Sequence, residues 1–302
     1  MSQQITENAP GDDSTTENPF FSVIIPTYNS AATLDALLSS LENQTCTNHE
    51  VIVVDDKSTD DTAVVVKKHP AVQYVCMDSN QGPAAARNRG ATLAKGEWLV
   101  FTDADTEFQA GTLKEIRALV GVADPDALVG SYTRTPANPG FMPRYKALWE
   151  YWSIDMAFTL DKHGLAPHTT WGPRPGVVRR TAFEKLLGFD TSFRGADLED
   201  MDFGYRLHEA GYKIYFAPGV RIRHHYPATL WREIRPFARR CALWMQLHRS
   251  RPALDTAGEG SPRQVIGHLA GFAAFWATLL ALTTTSFGVS LVSAFLLAVY
   301  FC

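Results

Sequence analysis

Residues 98–105 read WLVFTDAD, a short apolar run that ends in two aspartates one residue apart. Three earlier apolar runs precede it in the chain: Phe21–Ile25, Val51–Val54 and Val72–Cys76. Helical patterns lie between the runs, over Ala31–Asn43, after a cap at Ser58 or Asp60, and over Pro83–Ala94. Strands this apolar that alternate with helices predict an α/β domain, with a mostly parallel sheet covered by helices on both faces.

Acidic residues follow two of the four predicted strands. Asp55 and Asp56 come directly after the second strand, and Asp103 and Asp105 follow the fourth. Ligands of such sheets bind outside the carboxyl ends of the strands. Carboxylates that converge there repel one another unless a cation or a hydrogen-bonding ligand lies between them. Oxygen ligands suit Mg²⁺ or Mn²⁺, which bring substrate phosphates with them, so the sequence predicts a divalent-cation site.

The D-x-D spacing alone is weak evidence, because it also occurs at Asp124/Asp126 and Asp200/Asp202. Only Asp103/Asp105 follows an apolar strand of the alternating series. A solvated turn or a helix N-cap is the structural alternative. Other function classes are not supported, since GxGxxG after the first strand, GxxxxGK[ST], GxSxG and HExxH are all missing.

A second candidate region lies between residues 194 and 225. Residues 198–207, LEDMDFGYRL, predict a helix with acids in its first turn. The helix dipole favours acids there, but a carboxylate general base at Asp200 is the functional alternative. His224 and His225 follow the strand-like run Val220–Arg223, and one of them could complete the cation site if that strand ends near Asp105.

Charge divides the 302 residues into unequal parts. The first 220 residues carry a net charge of −10, residues 221–263 carry +6, and residues 264–302 contain no charged side chain, which gives −4 in total. The apolar tail is long enough for one or two membrane spans, with a buried helix pair as the alternative. Basic residues beside an apolar tail point to membrane lipids and argue against nucleic acid as a partner.

We therefore expect four segments. Residues 1–19 form a disordered polar leader with no signal peptide, and residues 20–228 form the catalytic body. Residues 229–263 form a basic amphipathic segment at the membrane interface, with a surface helix of the body as the alternative, and residues 264–302 form the transmembrane region. The positive-inside rule places the body on the cytoplasmic side of the membrane.

Five segments, in this order along the chain, resemble the inverting nucleotide-sugar glycosyltransferases of family 2, which have the GT-A fold. They are FSVIIPTYNSAATLDALLSSLENQT (21–45), EVIVVDDKSTDDT (50–62), NQGPAAARNRG (80–90), WLVFTDAD (98–105) and GFDTSFRGADLEDMDFGYRLHEAGYKI (188–214). The resemblance covers residues 20–230. It implies transfer of a sugar from a nucleotide-sugar donor to an acceptor hydroxyl, with Mg²⁺ or Mn²⁺ as the cofactor.

The resemblance also implies a role for each matching residue. The residues expected to bind the nucleotide sugar are Pro26, Thr27, Tyr28, Asp55, Asp56, Gly82, Arg87 and Asp103. The residues expected to hold the metal are Asp103, Asp105 and His224, with His225 as the alternative to His224. Asp200 matches the general base, and Glu199 would position that base or the acceptor.

Two departures from the family pattern bear on the acceptor. Pro175 stands where many members have asparagine, before the paired residues Arg179 and Arg180. Residues 239–244, RRCALW, do not match the Q-x-x-R-W motif of processive members, so we expect transfer of single sugars to a lipid-linked or glycan acceptor.

Two alternative functions stay open. One is a non-catalytic membrane-bound protein that binds nucleotide sugars. The other is a sugar nucleotidyltransferase, although residues 26–30 lack its glycine-rich basic loop.

Overall fold

The computed structural model describes residues 18–155, 158–193, 195, 198–229 and 243. The predicted spans and almost all of the predicted leader and basic segment lie outside these residues. No helix within the described ranges is long and apolar enough to cross a membrane.

The first half of the fold follows the predicted alternation of strands and helices. Its elements are β1 (Phe21–Thr27), α1 (Ala31–Glu42), β2 (His49–Asp55), α2 (Thr62–Val66), β3 (Gln73–Cys76), α3 (Pro83–Leu93) and β4 (Trp98–Phe101). The four strands pair in parallel in the order β3-β2-β1-β4. The N-cap of α2 is Asp61 rather than the predicted Ser58 or Asp60, although Asp60 accepts a hydrogen bond from the Thr62 N–H at 3.1 Å.

The second half of the sheet departs from the predicted parallel arrangement. Its elements are β5 (Thr106–Phe108), α4 (Thr112–Ala123), β6 (Ala127–Tyr132), α5 (Phe141–Glu150), a π-helix (Tyr151–Asp155), β7 (Ala166–Pro167), β8 (Gly176–Arg179), α6 (Arg180–Lys185), α7 (Glu199–Glu209) and β9 (Ile214–His224). The order continues β4-β8-β6-β9-β5, and β7 also pairs with β9.

In this half, β6 and β9 are parallel, whereas β8 runs antiparallel to both β4 and β6, and β5 and β7 run antiparallel to β9. The expected parallel pairing holds for β1 to β4, and the described sheet as a whole is mixed. The antiparallel strands β5, β7 and β8 have only two to four residues, too few for a recognisable apolar pattern.

Helices cover both faces of the sheet, as the apolar strands predict. Alternate side chains of β1 divide between two buried clusters, with Val23 and Ile25 in one and Ile24 in the other. The first cluster includes the predicted apolar face of α1, namely Leu34, Leu37, Leu38 and Leu41. Each fully buried leucine contributes about 1.5–3 kcal/mol to the free energy of unfolding, so this face holds α1 firmly on the sheet.

Close packing of α7 brings its first turn to the segment before β8. Gly204 lies on the buried side of α7, where a Cβ atom would stand 2.3 Å from the backbone nitrogen of Trp171. Only a residue without a side chain permits this approach. The position of Asp200 at the start of α7 therefore depends on Gly204, one turn further along the helix.

We expect Gly204→Ala to lower the free energy of unfolding by about 3 kcal/mol, because backbone rather than a flexible side chain must move. Gly121→Ala in α4 is the matched control, since no atom lies within 4 Å of a Cβ there. That change should raise the stability by about 0.5–1 kcal/mol through helix propensity. Thermal unfolding of both variants measures the difference, and equal effects would contradict the close approach.

Candidate functional site

Asp55 and Asp56 are buried and bind the loops that follow the parallel strands. Asp55 accepts hydrogen bonds from the Ser58 N–H at 2.7 Å and the Tyr74 hydroxyl at 2.6 Å. Asp56 accepts hydrogen bonds from the backbone N–H groups of Gln81 (2.7 Å) and Gly82 (2.7 Å). The two carboxylates thereby fix the shape of the loops at this edge of the sheet, and their contact with a base or ribose stays a prediction.

The end of β1 presents a buried residue and an exposed one at the same edge. Thr27 pairs with Asp55 across the parallel ladder and is buried, with an Oγ1 that has no hydrogen-bond partner. Pro26 precedes it in the buried strand, and the Tyr28 side chain is 51% exposed. An exposed ring beside an unsatisfied hydroxyl suits the predicted nucleotide pocket.

Arg87 joins three of the predicted site regions. It projects from α3, is almost completely buried, and donates from Nη1 to Glu199 Oε1 at 2.6 Å and from Nη2 to Asp103 Oδ1 at 2.8 Å. Burial alone would lower the pKa of Arg87, but the carboxylates of Asp103 and Glu199 outweigh it and raise that pKa. One guanidinium therefore connects the helix after Gly82, the D-x-D motif and the acidic start of α7.

The α3 helix begins from a tight loop that places Arg87. Gly82 has a φ of +91°, a conformation that favours glycine, and its carbonyl accepts the N–H of Ala86 at 3.1 Å. Pro83 occupies the first helical position, where its missing N–H costs nothing. The next residue after Arg87, Asn88, exchanges hydrogen bonds of 2.8 Å with the backbone of Phe189 and fixes that loop against α3.

Asp105 and His224 meet where β5 pairs with β9. Thr106 is the partner of His224 in the antiparallel ladder, and the His225 N–H donates to the Asp105 carbonyl at 2.8 Å. The distance from His224 Nε2 to Asp105 Oδ1 is 3.5 Å. Asp105 Oδ1 and His224 Nδ1 are both buried without a hydrogen-bond partner. Burial, and next the charge of Asp103, raise the pKa of Asp105, while burial lowers the pKa of His224.

His225 points to a different partner. Its Nε2 lies 2.8 Å from Glu107 Oε1, and Arg223 donates to the other oxygen of Glu107 at 2.9 Å. The ladder thus separates the two histidines, with His224 directed at Asp105 and His225 at Glu107. Of the two alternatives for the metal site, the geometry favours His224.

These residues fit a divalent cation that also binds substrate phosphates. Within the described ranges, no group of three or more His, Cys, Asp or Glu side chains is placed so that it could hold a metal ion. However, an unsatisfied carboxylate oxygen on Asp105 faces an imidazole, and Asp103 lies two residues away. Mg²⁺ ordinarily takes one or two carboxylates and completes its coordination with phosphates and water. The donor set therefore suits a cation shared with a diphosphate.

Asp200 stands at the start of α7, beside the segment before β8. Its Oδ1 accepts the Met201 N–H at 2.8 Å, and its Oδ2 lies 3.3 Å from where a Cβ of Gly172 would stand. Burial, and next the charge of Glu199, raise the pKa of Asp200 to about 7. A carboxylate whose pKa lies near neutrality, beside space left open by a glycine, can accept a proton from a bound hydroxyl.

Sequence reasoning missed an aromatic cluster around His224. The rings of Tyr132 and Tyr226 lie 4.8 Å and 4.4 Å from the His224 ring, and the Tyr226 hydroxyl donates to Glu150 at 2.8 Å. Burial first, and then the charge of Asp103, raise the pKa of Tyr132. Tyr226 carried one signal, since it is two residues beyond His224 and so shares its side of an extended chain. Tyr132 carried none, because its strand was not predicted.

Comparison with known proteins agrees with this geometry. The sequence model described as glycosyl transferase family 2 matches residues 22–187. A PGL/p-HBAD biosynthesis glycosyltransferase of Mycobacterium tuberculosis is 41% identical over 116 residues, which are 37% of this chain and 45% of the relative. Validoxylamine A glucosyltransferase of Streptomyces hygroscopicus is 34% identical over 228 residues, 65% of this chain and 53% of the relative. The chain thus spans about half the length of these curated relatives.

Solved structures show the same fold. Residues 1–349 of S. aureus TarS in complex with UDP-GlcNAc match with a TM-score of 0.52 and 25% identity, over 69% of this chain and 60% of that one. The complex of the same fragment with UDP gives a TM-score of 0.51 and 26% identity, over 66% and 60% of the two chains. Because the family match covers more than half of the sequence and the fold agrees with it, this chain belongs to glycosyl transferase family 2.

Proposed function

We propose that the protein transfers one sugar from a nucleoside-diphosphate donor to an acceptor hydroxyl. The observation that carries the proposal is the pair of salt bridges from Arg87, at 2.6 Å to Glu199 and 2.8 Å to Asp103. They hold the D-x-D motif and the acidic start of α7 close together on either side of one guanidinium. Family membership supports the proposal, as do the UDP and UDP-GlcNAc complexes of the TarS fragment.

In this proposal, the transfer is a single displacement. Asp200 takes the proton of the acceptor hydroxyl while that oxygen attacks the anomeric carbon of the donor. The bond from that carbon to the diphosphate oxygen breaks, and the nucleoside diphosphate leaves with the electron pair. Because the acceptor oxygen attacks on the face opposite the departing diphosphate, the configuration at the anomeric carbon inverts. Glu199, which is held by Arg87, orients the first turn of α7 and so positions Asp200.

The cation proposal rests on Asp105 and His224, with Asp103 beside them. When bound, Mg²⁺ or Mn²⁺ would neutralise charge on the departing diphosphate. The chain's own contribution is to hold the Asp105 carboxylate without a competing hydrogen bond on Oδ1. On the nucleotide side, we propose that Tyr28 contacts the donor while Asp55 and Asp56 fix the loops around it.

The acceptor and the location of the protein are proposed from the sequence beyond the described residues. Residues 264–302 carry no charge and follow the basic segment 229–263, which supports attachment to a membrane with the body on the cytoplasmic side. A lipid-linked or glycan acceptor follows from this placement. Residues 239–244 do not match the processive motif, which supports transfer of single sugars.

Membranes that contain the full chain, incubated with labelled nucleotide sugars, test this function. Transfer predicts release of nucleoside diphosphate that depends on an added acceptor extract. Pyrophosphate formed from a sugar phosphate and a nucleoside triphosphate would instead identify a sugar nucleotidyltransferase. Saturable donor binding with neither product would identify a non-catalytic binding protein.

We expect the transfer rate to rise with pH and to level off above about pH 7. The base works only when Asp200 is deprotonated, and its pKa is raised to about 7. Below this value, the ratio kcat/KM should fall about tenfold per pH unit. A profile from about pH 5.5 to 8.5 measures this slope. A flat profile would contradict the raised pKa, because an ordinary aspartate is deprotonated throughout that range.

We expect Asp105→Ala to weaken Mn²⁺-dependent binding of a nucleoside diphosphate by at least about tenfold, since one of the few proposed ligands is lost. Titration of the nucleotide with and without Mn²⁺ measures the change. Glu107→Gln is the control, because Glu107 lies two residues away but binds Arg223 and His225 instead. Unchanged titrations of the Asp105 variant would remove it from the metal site.

A further inference from the structure

Helix α5 exposes large apolar side chains and buries small residues, which is the reverse of an ordinary surface helix. Its buried positions hold the small residues Pro143 and Ala147, whereas Phe141, Tyr145 and Leu148 are 81%, 52% and 53% exposed. Spacings of four and three residues place these three side chains on one face, and the rings of Phe141 and Tyr145 stack with centroids 6.4 Å apart. Surface helices normally turn their polar side to water, so this face, which we call the α5 stripe, suits an apolar environment.

The composition around the α5 stripe is that of a membrane interface. Trp152 continues it four residues after Leu148 and is 47% exposed. Arg144 is also exposed on this helix, and the neighbouring Glu150 is occupied by Tyr226 and Lys146. Tyrosine and tryptophan concentrate at the headgroup level of bilayers, and an exposed arginine suits anionic headgroups.

The part of the body described before residue 230 ends close to α5, and Leu243 packs further away, against Leu198 and Tyr205. Tyr226 exchanges hydrogen bonds with Asn138 at 2.8 and 2.9 Å, just before α5, and donates to Glu150 at its end. Only three described residues follow Tyr226 before residue 230. Residues 230–302 then contain the arginines of the basic segment and the uncharged tail. Tyr226, which lies three residues before the proposed basic segment, is therefore fixed beside the helix that bears the stripe.

We propose that the α5 stripe lies in the interfacial zone of an anionic phospholipid bilayer, as a second membrane contact beside the tail. This inference rests on the proposed attachment to a membrane. It would hold the body against the bilayer through α5, so that a lipid-linked acceptor meets the protein without leaving the bilayer. A second copy of the chain is a poorer occupant, because a stable interface takes about 20–30 residues a side and the stripe has four.

Site-specific fluorescence in vesicles tests the proposal. The full chain is reconstituted in phosphatidylcholine and phosphatidylglycerol with Cys76→Ser, Cys241→Ser and Cys302→Ser, while the buried Cys46 stays. An environment-sensitive dye is attached through Tyr145→Cys on the stripe. The matched control is Val122→Cys on α4, where the native side chain is apolar and 62% exposed. Lipids that carry a spin label near the headgroup then quench dyes at the interface.

We expect the dye at position 145 to shift to the blue and to be quenched several-fold more strongly than the dye at 122. If the chain floats with the vesicles but both dyes are quenched equally and weakly, the stripe proposal is overturned. Membrane attachment would then remain intact. A dye at 145 that shifts to the blue but is not quenched by the spin-labelled lipids overturns it too, in favour of the basic segment 229–263 or, if the shift depends on protein concentration, a second copy. A chain that does not float with vesicles at all refutes both.

Discussion

Asp200→Asn is expected to lower the rate of sugar transfer by about 10²–10⁴-fold and to leave donor binding nearly unchanged. The amide keeps the shape of the carboxylate and can still accept the Met201 N–H, but it cannot take a proton from the acceptor. The loss should therefore fall on kcat rather than on the donor KM. Nucleoside diphosphate release and a donor titration, made on the same preparation, measure the two quantities.

Asp202→Asn is the matched control on the same helix. Asp202 lies two residues further on and accepts from Arg206 Nε at 2.8 Å, while Arg206 binds the carbonyl groups of Leu186 and Gly188. This variant should lose some stability and keep its rate of transfer per folded molecule. If Asp200→Asn retained transfer at the level of Asp202→Asn, Asp200 would not be the base.

Arg87→Met should have the largest effect on stability, about 3–5 kcal/mol of the free energy of unfolding. The Glu199 side chain is only 4% exposed, so removal of the guanidinium takes away the positive charge that balances a buried carboxylate. The start of α7 and the D-x-D motif would also lose their connection, so transfer should be abolished. Thermal unfolding in detergent and the diphosphate-release assay measure the two losses.

Two further variants separate the salt bridges from the volume of the side chain. Arg87→Met with Glu199→Gln removes both buried charges and should regain much of the lost stability without regaining transfer. Arg89→Met, on an exposed position of the same helix, should change little. An Arg87→Met variant as stable as Arg89→Met would show that the salt bridges contribute little to the fold.

The first half of the fold could be predicted from the sequence because its signals are local. The buried strand from Phe21 and the leucine face of α1 each carry their own periodicity, and Pro83 marks the start of α3. In the second half, local signals predicted the helix over 198–207 and the run Val220–Arg223, which correspond to α7 and to part of β9, but not the antiparallel pairing. The strand Gly176–Arg179 has four residues, and its pairing with both Trp98–Phe101 and Ala127–Tyr132 is a long-range choice that local apolarity does not encode.

In the candidate site, too, single residues could be predicted from the sequence, whereas the contacts between them could not. Matched motifs identified Arg87, Asp103 and Glu199 one at a time, but only the fold shows that one guanidinium bridges both carboxylates. The choice of His224 over His225 needed the register of an antiparallel ladder, which no repeated pattern announces. The exposed stripe on α5 was hidden for a related reason, since apolar residues at helical spacing ordinarily predict a buried face.

The configuration of the product at the anomeric carbon shows whether Asp200 promotes a single displacement. A single displacement with Asp200 as base, while Glu199 is held by Arg87, requires that the transferred sugar be inverted relative to the donor. Nuclear magnetic resonance of the purified glycoside, compared with the nucleotide sugar supplied, reads this configuration. We expect an inverted product, and a product that retains the configuration of the donor would rule out a single displacement.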